Sequence, residues 1–220
     1  MTAEHRTWIR WVGILSVFLI AVGIGAMVLF QRAATGLEQP AYTVEQSSGQ
    51  IEIRRYQATP AAEVTVEGSR SAATRKAFGI LFDYISGANQ GNGKIAMTAP
   101  VRQAPDPQKI SMTAPVTQAP AGADAWQVAF FLPSQYTVAS APKPDNEQVR
   151  IVSVPGGRVA AITFSGRWTD RNFEKHAAQL STFIGMNGLT ATGAPVYAYF
   201  NDPFTLPPFR RNEVQIPIAP

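Results

Sequence analysis

VRIVSVPGGRVAAITF, residues 149–164, carries two apolar, β-branched runs on either side of Pro155-Gly156-Gly157. Runs of this length, rich in Val and Ile and broken by a Pro-Gly-Gly turn, read as two consecutive strands, 149–154 and 158–164. Immediately afterwards the period changes. Phe173, Ala177, Leu180 and Ile184 recur at helical spacing, Thr169 or Asp170 is placed to cap the helix, and Gly185 and Gly188 stop it. PVYAYF (195–200) and EVQIPI (213–218) then read as strands, separated by the Pro-rich loop NDPFTLPPFRRN (201–212).

The first half of the chain runs in the same order. In YTVEQSSGQIEIRRYQ (42–57), Ile51 and Ile53 share one face and Glu52 and Arg54 the other, as in a half-buried strand. AAEVTVE (61–67) follows the Thr59-Pro60 break as a second strand. Residues 70–86 are a helix, with Ala77, Leu81 and Tyr84 on a face that Phe78, Phe82 and Ile85 widen. Gly87 ends it, GANQGNG (87–93) is a loop, and WQVAFFL (126–132) is a strand. Two strand–strand–helix–strand units in succession imply an α+β fold with a pseudo-twofold internal repeat. The expected form is a distorted antiparallel β-barrel, or strongly curved sheet, with two packed helices.

Between the units lies KIAMTAPVRQAPDPQKISMTAPVTQAP (94–120), which states Lys-Ile-x-Met-Thr-Ala-Pro-Val-x-Gln-Ala-Pro twice. Proline cannot donate a ladder hydrogen bond, so the phrase predicts a hairpin at a sheet edge, with Ile95, Met97, Ile110 and Met112 covering core. A methionine acting as a soft metal or haem ligand is the sharper alternative.

The segment WVGILSVFLIAVGIGAMVLF, residues 11–30, contains no charge. At 1.5 Å per residue it spans about 30 Å, the hydrocarbon thickness of a bilayer. That exceeds the apolar core of a signal peptide, and Ala33-Ala34 is a poor cleavage site. Arg6 and Arg10 precede the run, which places the N-terminus inside and the domain outside the cytoplasm. The expected organisation is a cytoplasmic flank (1–10), a transmembrane anchor (11–30), a linker (31–41) and an extracytoplasmic, periplasmic-type domain (42–218).

Composition removes many chemistries. There is no cysteine, and only His5 and His176 supply imidazole, so His-rich zinc centres and Cys-His dyads cannot be built. The nucleotide-binding glycine motifs and the G-x-S-x-G elbow are missing. Glu63, Glu67, Asp83, Glu174 and Glu213 leave a carboxylate-based hydrolase open, but no spacing selects an acid–base pair, and the expectation is a binding protein rather than an enzyme. The net charge of +4 is spread along the chain, which does not make a nucleic-acid footprint. His176 lies on the border of the second helix's apolar stripe, where it is either an ordinary helix residue or an axial ligand to haem iron. Phe204, Leu206 and Phe209 crowd one loop, which covers either a satellite core or one wall of a pocket for a flat apolar ligand.

Four motifs in sequence sharpen this. E-I-R-x-Y (52–56), Y-I-S-G-A-N (84–89), K-I-x-M-T-A-P-V and R-R-N-E-V (210–214) resemble the SOUL haem-binding protein family over roughly residues 42–218. The resemblance implies a distorted β-barrel with two helices that binds haem or other porphyrins. It also implies a pocket made by the first helix, through Phe78, Leu81, Phe82 and Ile85, and by the loop before the last strand, through Phe204, Leu206 and Phe209. Arg210 is placed to pair with propionates. Some members carry a proposed haem-ligating histidine just before the tyrosine of E-I-R-x-Y; this chain has Arg55 there, so that ligand is missing. The same architecture is similar to the effector-binding domains of gyrase-inhibitor-like and transcription-regulator proteins, which makes a module for other amphiphiles the alternative.

Overall fold

The computed structural model describes residues 37–91, 108–122 and 124–220. The predicted anchor at 11–30, together with Ile95 and Met97 of the first MTAPV copy, lies outside them. Among the described residues no helix is long and apolar enough to cross a membrane.

The elements follow in the order β1 (Tyr42–Ser48), β2 (Ile51–Tyr56), β3 (Thr59–Glu67), α1 (Arg70–Ser86), β4 (Asn89–Gln90), β5 (Val116–Pro120), β6 (Ala125–Phe131), β7 (Lys143–Pro144), β8 (Arg150–Val154), β9 (Gly157–Phe164), α2 (Asp170–Met186), β10 (Val196–Tyr199) and β11 (Asn212–Pro217). Nine strands form one antiparallel sheet in the order β1-β2-β9-β11-β10-β5-β6-β3-β8. β1 and β8 do not pair, so of the two forms expected, a distorted barrel or a strongly curved sheet, the structure has the second, a curled half-barrel. With β1 set aside the order is a palindrome: β2, β9, β11, β10 on one side answer β8, β3, β6, β5 on the other. This is the internal repeat, with the first strand of each unit pairing to the second strand of the other.

The two faces of the sheet differ. Ile53, Val64, Val128, Ile162 and Val214 point toward α1 and α2 and form the core with Leu81, Tyr84, Phe173, Leu180 and Ile184. A fully buried leucine such as Leu81 or Leu180 contributes roughly 1.5–3 kcal/mol. On the other face, Ala61, Ala129, Ala161 and Ala198 are buried. The curl brings opposite strands together there, and the larger Arg54 and Glu213 are buried on the same face. Tyr56, Thr117, Phe131, Val159, Val196 and Gln215, from strands far apart in the sheet, share one small cavity of about 160 Å³. The turns between β2 and β3 and between β8 and β9 cross at this concave side. A Cβ on Gly156 would lie 2.6 Å from the Tyr56 carbonyl oxygen.

Helix α2 is capped by Thr169, whose hydroxyl accepts from the Asn172 N–H at 3.3 Å. Helix α1 ends at Gly87, whose φ of 126° suits a residue without a Cβ. The second MTAPV copy departs from the edge hairpin expected of it. Its Val116–Pro120 portion, β5, is paired on both sides, with β10 and with β6. The two prolines do not interfere, because Pro115 precedes the strand and Pro120 ends it. Ile110 is buried and Met112 packs on the core, as expected of core-covering residues.

Candidate functional site

Helix α1 packs on β3 and β6, and α2 on β9 and β11, which leaves the middle strands β5 and β10 as the floor of a groove between the helices. A cavity of about 400 Å³ opens there. Ser71, Thr74, Arg75 and Phe78 present one face of α1 to it, at spacings of three and four residues. Val116 and Tyr199 form the floor, and Trp168 and Pro203 the opposite side.

The walls are held from behind. The Phe78 ring meets Phe130 edge-on with centroids 5.3 Å apart and stacks with Phe82 at 5.9 Å. Trp168 donates its indole N–H to Asn212 Oδ1 at 2.7 Å and stands edge-on to Tyr199. Arg210 lies over the Trp168 ring, 4.2 Å from its centroid. The floor is polar and closed on itself. Arg70 donates through Nε to Asp170 Oδ1 at 2.7 Å, so it ties the start of α1 to the start of α2, and it also donates to the Tyr199 hydroxyl. Tyr199 in turn donates to Gln118 Oε1 at 3.1 Å. Burial pushes the Tyr199 phenol above its ordinary value against the pull of Arg70, so it stays protonated at neutral pH. Arg75, by contrast, is exposed at the cavity and forms no ion pair with any described residue.

Only part of the residue set expected from the sequence meets at this cavity. Phe78 lines it. Phe82 stacks on Phe78 but is 44% exposed and stands beyond the lining. Leu81 and Ile85 point into the core: they form the sheet-facing edge of the stripe they share with Phe78 and Phe82. From the loop 201–211, Asn201 and Pro203 reach the cavity, whereas Phe204 is 87% exposed. Phe209 and Arg210 border a different depression, with Glu52, Thr163 and Arg211. Arg210 donates to the carbonyls of Thr205 and Pro203 at 2.7 and 2.8 Å, so its guanidinium holds the loop together. His176 donates from Nδ1 to the Asn172 carbonyl at 2.6 Å and stacks on Phe164 with centroids 3.8 Å apart, away from the cavity lining.

Sequence reading missed Thr74, Arg75, Trp168 and Tyr199. The 71/74/75/78 face of α1 was legible as a second helical stripe. Trp168 sits in an aperiodic stretch and had no local signal. The two recognition motifs turn out to be joined. Arg54 of E-I-R-x-Y donates to both carboxylate oxygens of Glu213 of R-R-N-E-V, at 2.8 and 3.1 Å, on the concave face. Asn212 of the same motif holds Trp168, and Arg211 adds a second guanidinium to Glu213 at 2.7 Å.

The cavity offers flat aromatic surface from Phe78 and Trp168 and, on Arg75, a guanidinium with no ion-pair partner among the described residues, which suit a planar apolar body carrying carboxylates. Among the described residues its lining contains no His or Met, and its one phenol is hydrogen-bonded and protonated. Apolar contact and charge would therefore hold a porphyrin here, without iron ligation by the described lining residues.

Among curated proteins no match was found. Solved structures share the fold at low identity. A hydrolase from Listeria innocua is 15% identical, with a TM-score of 0.51, 80% of this chain and 94% of that one being covered. The C-terminal domain of EcmrR is 12% identical, with a TM-score of 0.54 and coverage of 77% and 97%. The family model described as SOUL heme-binding protein matches residues 37–217, most of the chain and nearly all of the described fold. The chain belongs to the SOUL heme-binding protein family.

Proposed function

We propose that this protein is a membrane-anchored haem or tetrapyrrole binder that holds its ligand in the groove between α1 and α2. The observation that carries this is the pairing, in one cavity, of the aromatic walls Phe78 and Trp168 with Arg75, a cation that has no ion-pair partner among the described residues. When bound, haem supplies the iron and the conjugated ring; the protein supplies an apolar slot and charge for the propionates. A binding role, and not catalysis, accords with the state of the buried carboxylates Glu63 and Glu213 and of Asp170 beside the cavity floor. Glu213, Glu63 and Asp170 are each committed to an arginine. The arginines at 54, 70, 158 and 211 are likewise engaged by carboxylates, which supports a function without nucleic acid.

The test is titration with hemin, metal-free protoporphyrin and the protoporphyrin dimethyl ester, followed by absorbance and tryptophan quenching through Trp168. Hemin and protoporphyrin should bind with similar affinity and the ester more weakly. Strong preference for hemin over protoporphyrin would refute contact-based binding. No binding of any of the three would leave the second reading, a module for other amphiphiles, which the fold shared with the EcmrR domain favours. The anchored, extracytoplasmic placement rests on the apolar run 11–30 and on Arg6 and Arg10 before it. A C-terminal alkaline phosphatase fusion should be active; activity of a cytoplasmic reporter at that end would reverse the topology.

A further inference from the structure

The loop 201–211 exposes its largest apolar side chains to solvent: Phe204 at 87%, Phe209 at 55% and Leu206 at 50%. Slack does not explain this, because the loop is pinned. Asp202 Oδ1 accepts from the backbone N–H of Phe204 and Thr205 at 2.7 and 2.9 Å, and Arg210 clamps the carbonyls of Pro203 and Thr205. A further backbone bond, from Gly166 N–H to the Pro207 carbonyl at 2.8 Å, fixes the loop to the segment before α2. Single exposed apolar residues are ordinary, but three on one pinned loop mark a contact surface.

The position of the chain's other apolar stretch identifies the partner. Leu37 packs with Ala114, Ala198 and Phe200, and Gln39 accepts from Arg211 at 3.4 Å, so the described chain begins at the base of this loop, whose ends are Phe200 and Arg211. Only residues 31–36 separate Leu37 from the apolar run 11–30. Six residues, even fully extended, reach about 20 Å. If 11–30 lies in a bilayer, the membrane surface is within that distance of the loop base.

We propose that Phe204, Leu206 and Phe209 form a second membrane contact, entering the boundary between lipid headgroups and acyl chains and fixing the domain's orientation on the bilayer. This rests on the anchoring part of the function proposed above and adds to it a docking surface with a lipid partner. Aromatic and leucine side chains on a loop of this kind suit that interface, where each has an apolar body to bury and no charge to desolvate.

The chain contains no cysteine, so one can be introduced without background. Phe204→Cys and, as a control at the opposite end of β5 and β6, Asp124→Cys are labelled with an environment-sensitive fluorophore in the full chain. Each is reconstituted into phosphatidylcholine vesicles with and without phosphatidylglycerol, then floated on a density gradient. Label at 204 should shift to the blue and be quenched roughly twofold or more by doxyl-labelled lipid, as expected for insertion at the interface, while label at 124 is unaffected. Flotation with a 204 label as water-exposed as the control would overturn the docking surface and leave the anchor standing. Failure to float would overturn both. A blue shift at 204 that depends on protein concentration in detergent alone would assign the loop to a second copy of the chain and also refute the proposal.

Discussion

Arg54 and Glu213 lie 159 residues apart in the chain and meet in a buried two-point ion pair on the concave face of the sheet, at 2.8 and 3.1 Å. β9 runs between their strands, so the pair crosses a whole strand and ties one half of the repeat to the other. Breaking a buried pair by removing one partner leaves the other charge desolvated, at a cost of about 3–5 kcal/mol. Arg54→Met should lower unfolding free energy by that order in urea titrations. The double variant Arg54→Met/Glu213→Leu should recover part of the loss. A loss under about 1 kcal/mol for Arg54→Met would show that Arg211 alone suffices for Glu213.

The same pair sets an acid limit. Burial raises the Glu213 carboxyl, but the hydrogen bond and charge of Arg54, with Arg211, outweigh it and hold the group below its ordinary value of 4.5. A carboxylate depressed in the folded state contributes stability that is complete above the unfolded value and is lost as pH falls through the folded one. Stability attributable to Glu213 should therefore be flat from neutral pH down to about 5 and fall below 4.5. In Glu213→Gln that part of the acid slope should disappear from melting temperatures measured between pH 3 and 6.

Phe78 and Phe82 stack on one another, yet only Phe78 lines the groove. Phe78→Asp places an unpartnered charge against the ligand and should weaken porphyrin binding by several kcal/mol, on the order of a hundredfold or more. Phe82→Asp should cost less than tenfold, because its side chain already reaches water. Phe78→Leu should retain most affinity, and circular dichroism should show all three folded. Equal losses at 78 and 82 would move the ligand outward along α1.

The His176 ring is occupied by the Asn172 carbonyl on one edge and by Phe164 on one face. His176→Ala should leave the hemin absorbance maximum unchanged and reduce only thermal stability, through the lost ring packing. A displaced absorbance maximum would identify it as an iron ligand.

Gly156 touches the backbone of the turn between β2 and β3, with a virtual Cβ 2.6 Å from the Tyr56 carbonyl and 2.8 Å from the Ala58 nitrogen. Gly156→Ala should push the two crossing turns apart at a cost of about 1–3 kcal/mol, read as a lower urea midpoint. Gly157→Ala is unsuitable as a control because its φ is 153°. Gly79→Ala, in mid-helix with open space around it, should instead stabilise slightly.

Periodicity revealed most of the strands, both helices and the repeated order of units, because alternation and the 3.6-residue period are local properties of a chain; it did not divide β1 from β2 or show the two-residue strands β4 and β7. The family motifs were equally legible. Hidden from the sequence was how the units interlock. Nothing in IEIRRY says that its arginine will find Glu213, since that contact depends on β2 crossing to pair with β9 of the other unit. The same holds for β5, which its prolines suggested was an edge strand. The folding of β10 onto its other side made it central. For the site, Phe78 could be named from helical spacing, whereas Leu81 and Ile85 were assigned to the ligand and belong to the core. Positions 78, 81, 82 and 85 share one stripe about 100° wide, and only the packing of α1 on β3 and β6 decides which edge of it the sheet takes and which the groove keeps. Arg75 and Trp168 come from segments almost a hundred residues apart, and only the antiparallel closure of the two halves brings them to one cavity.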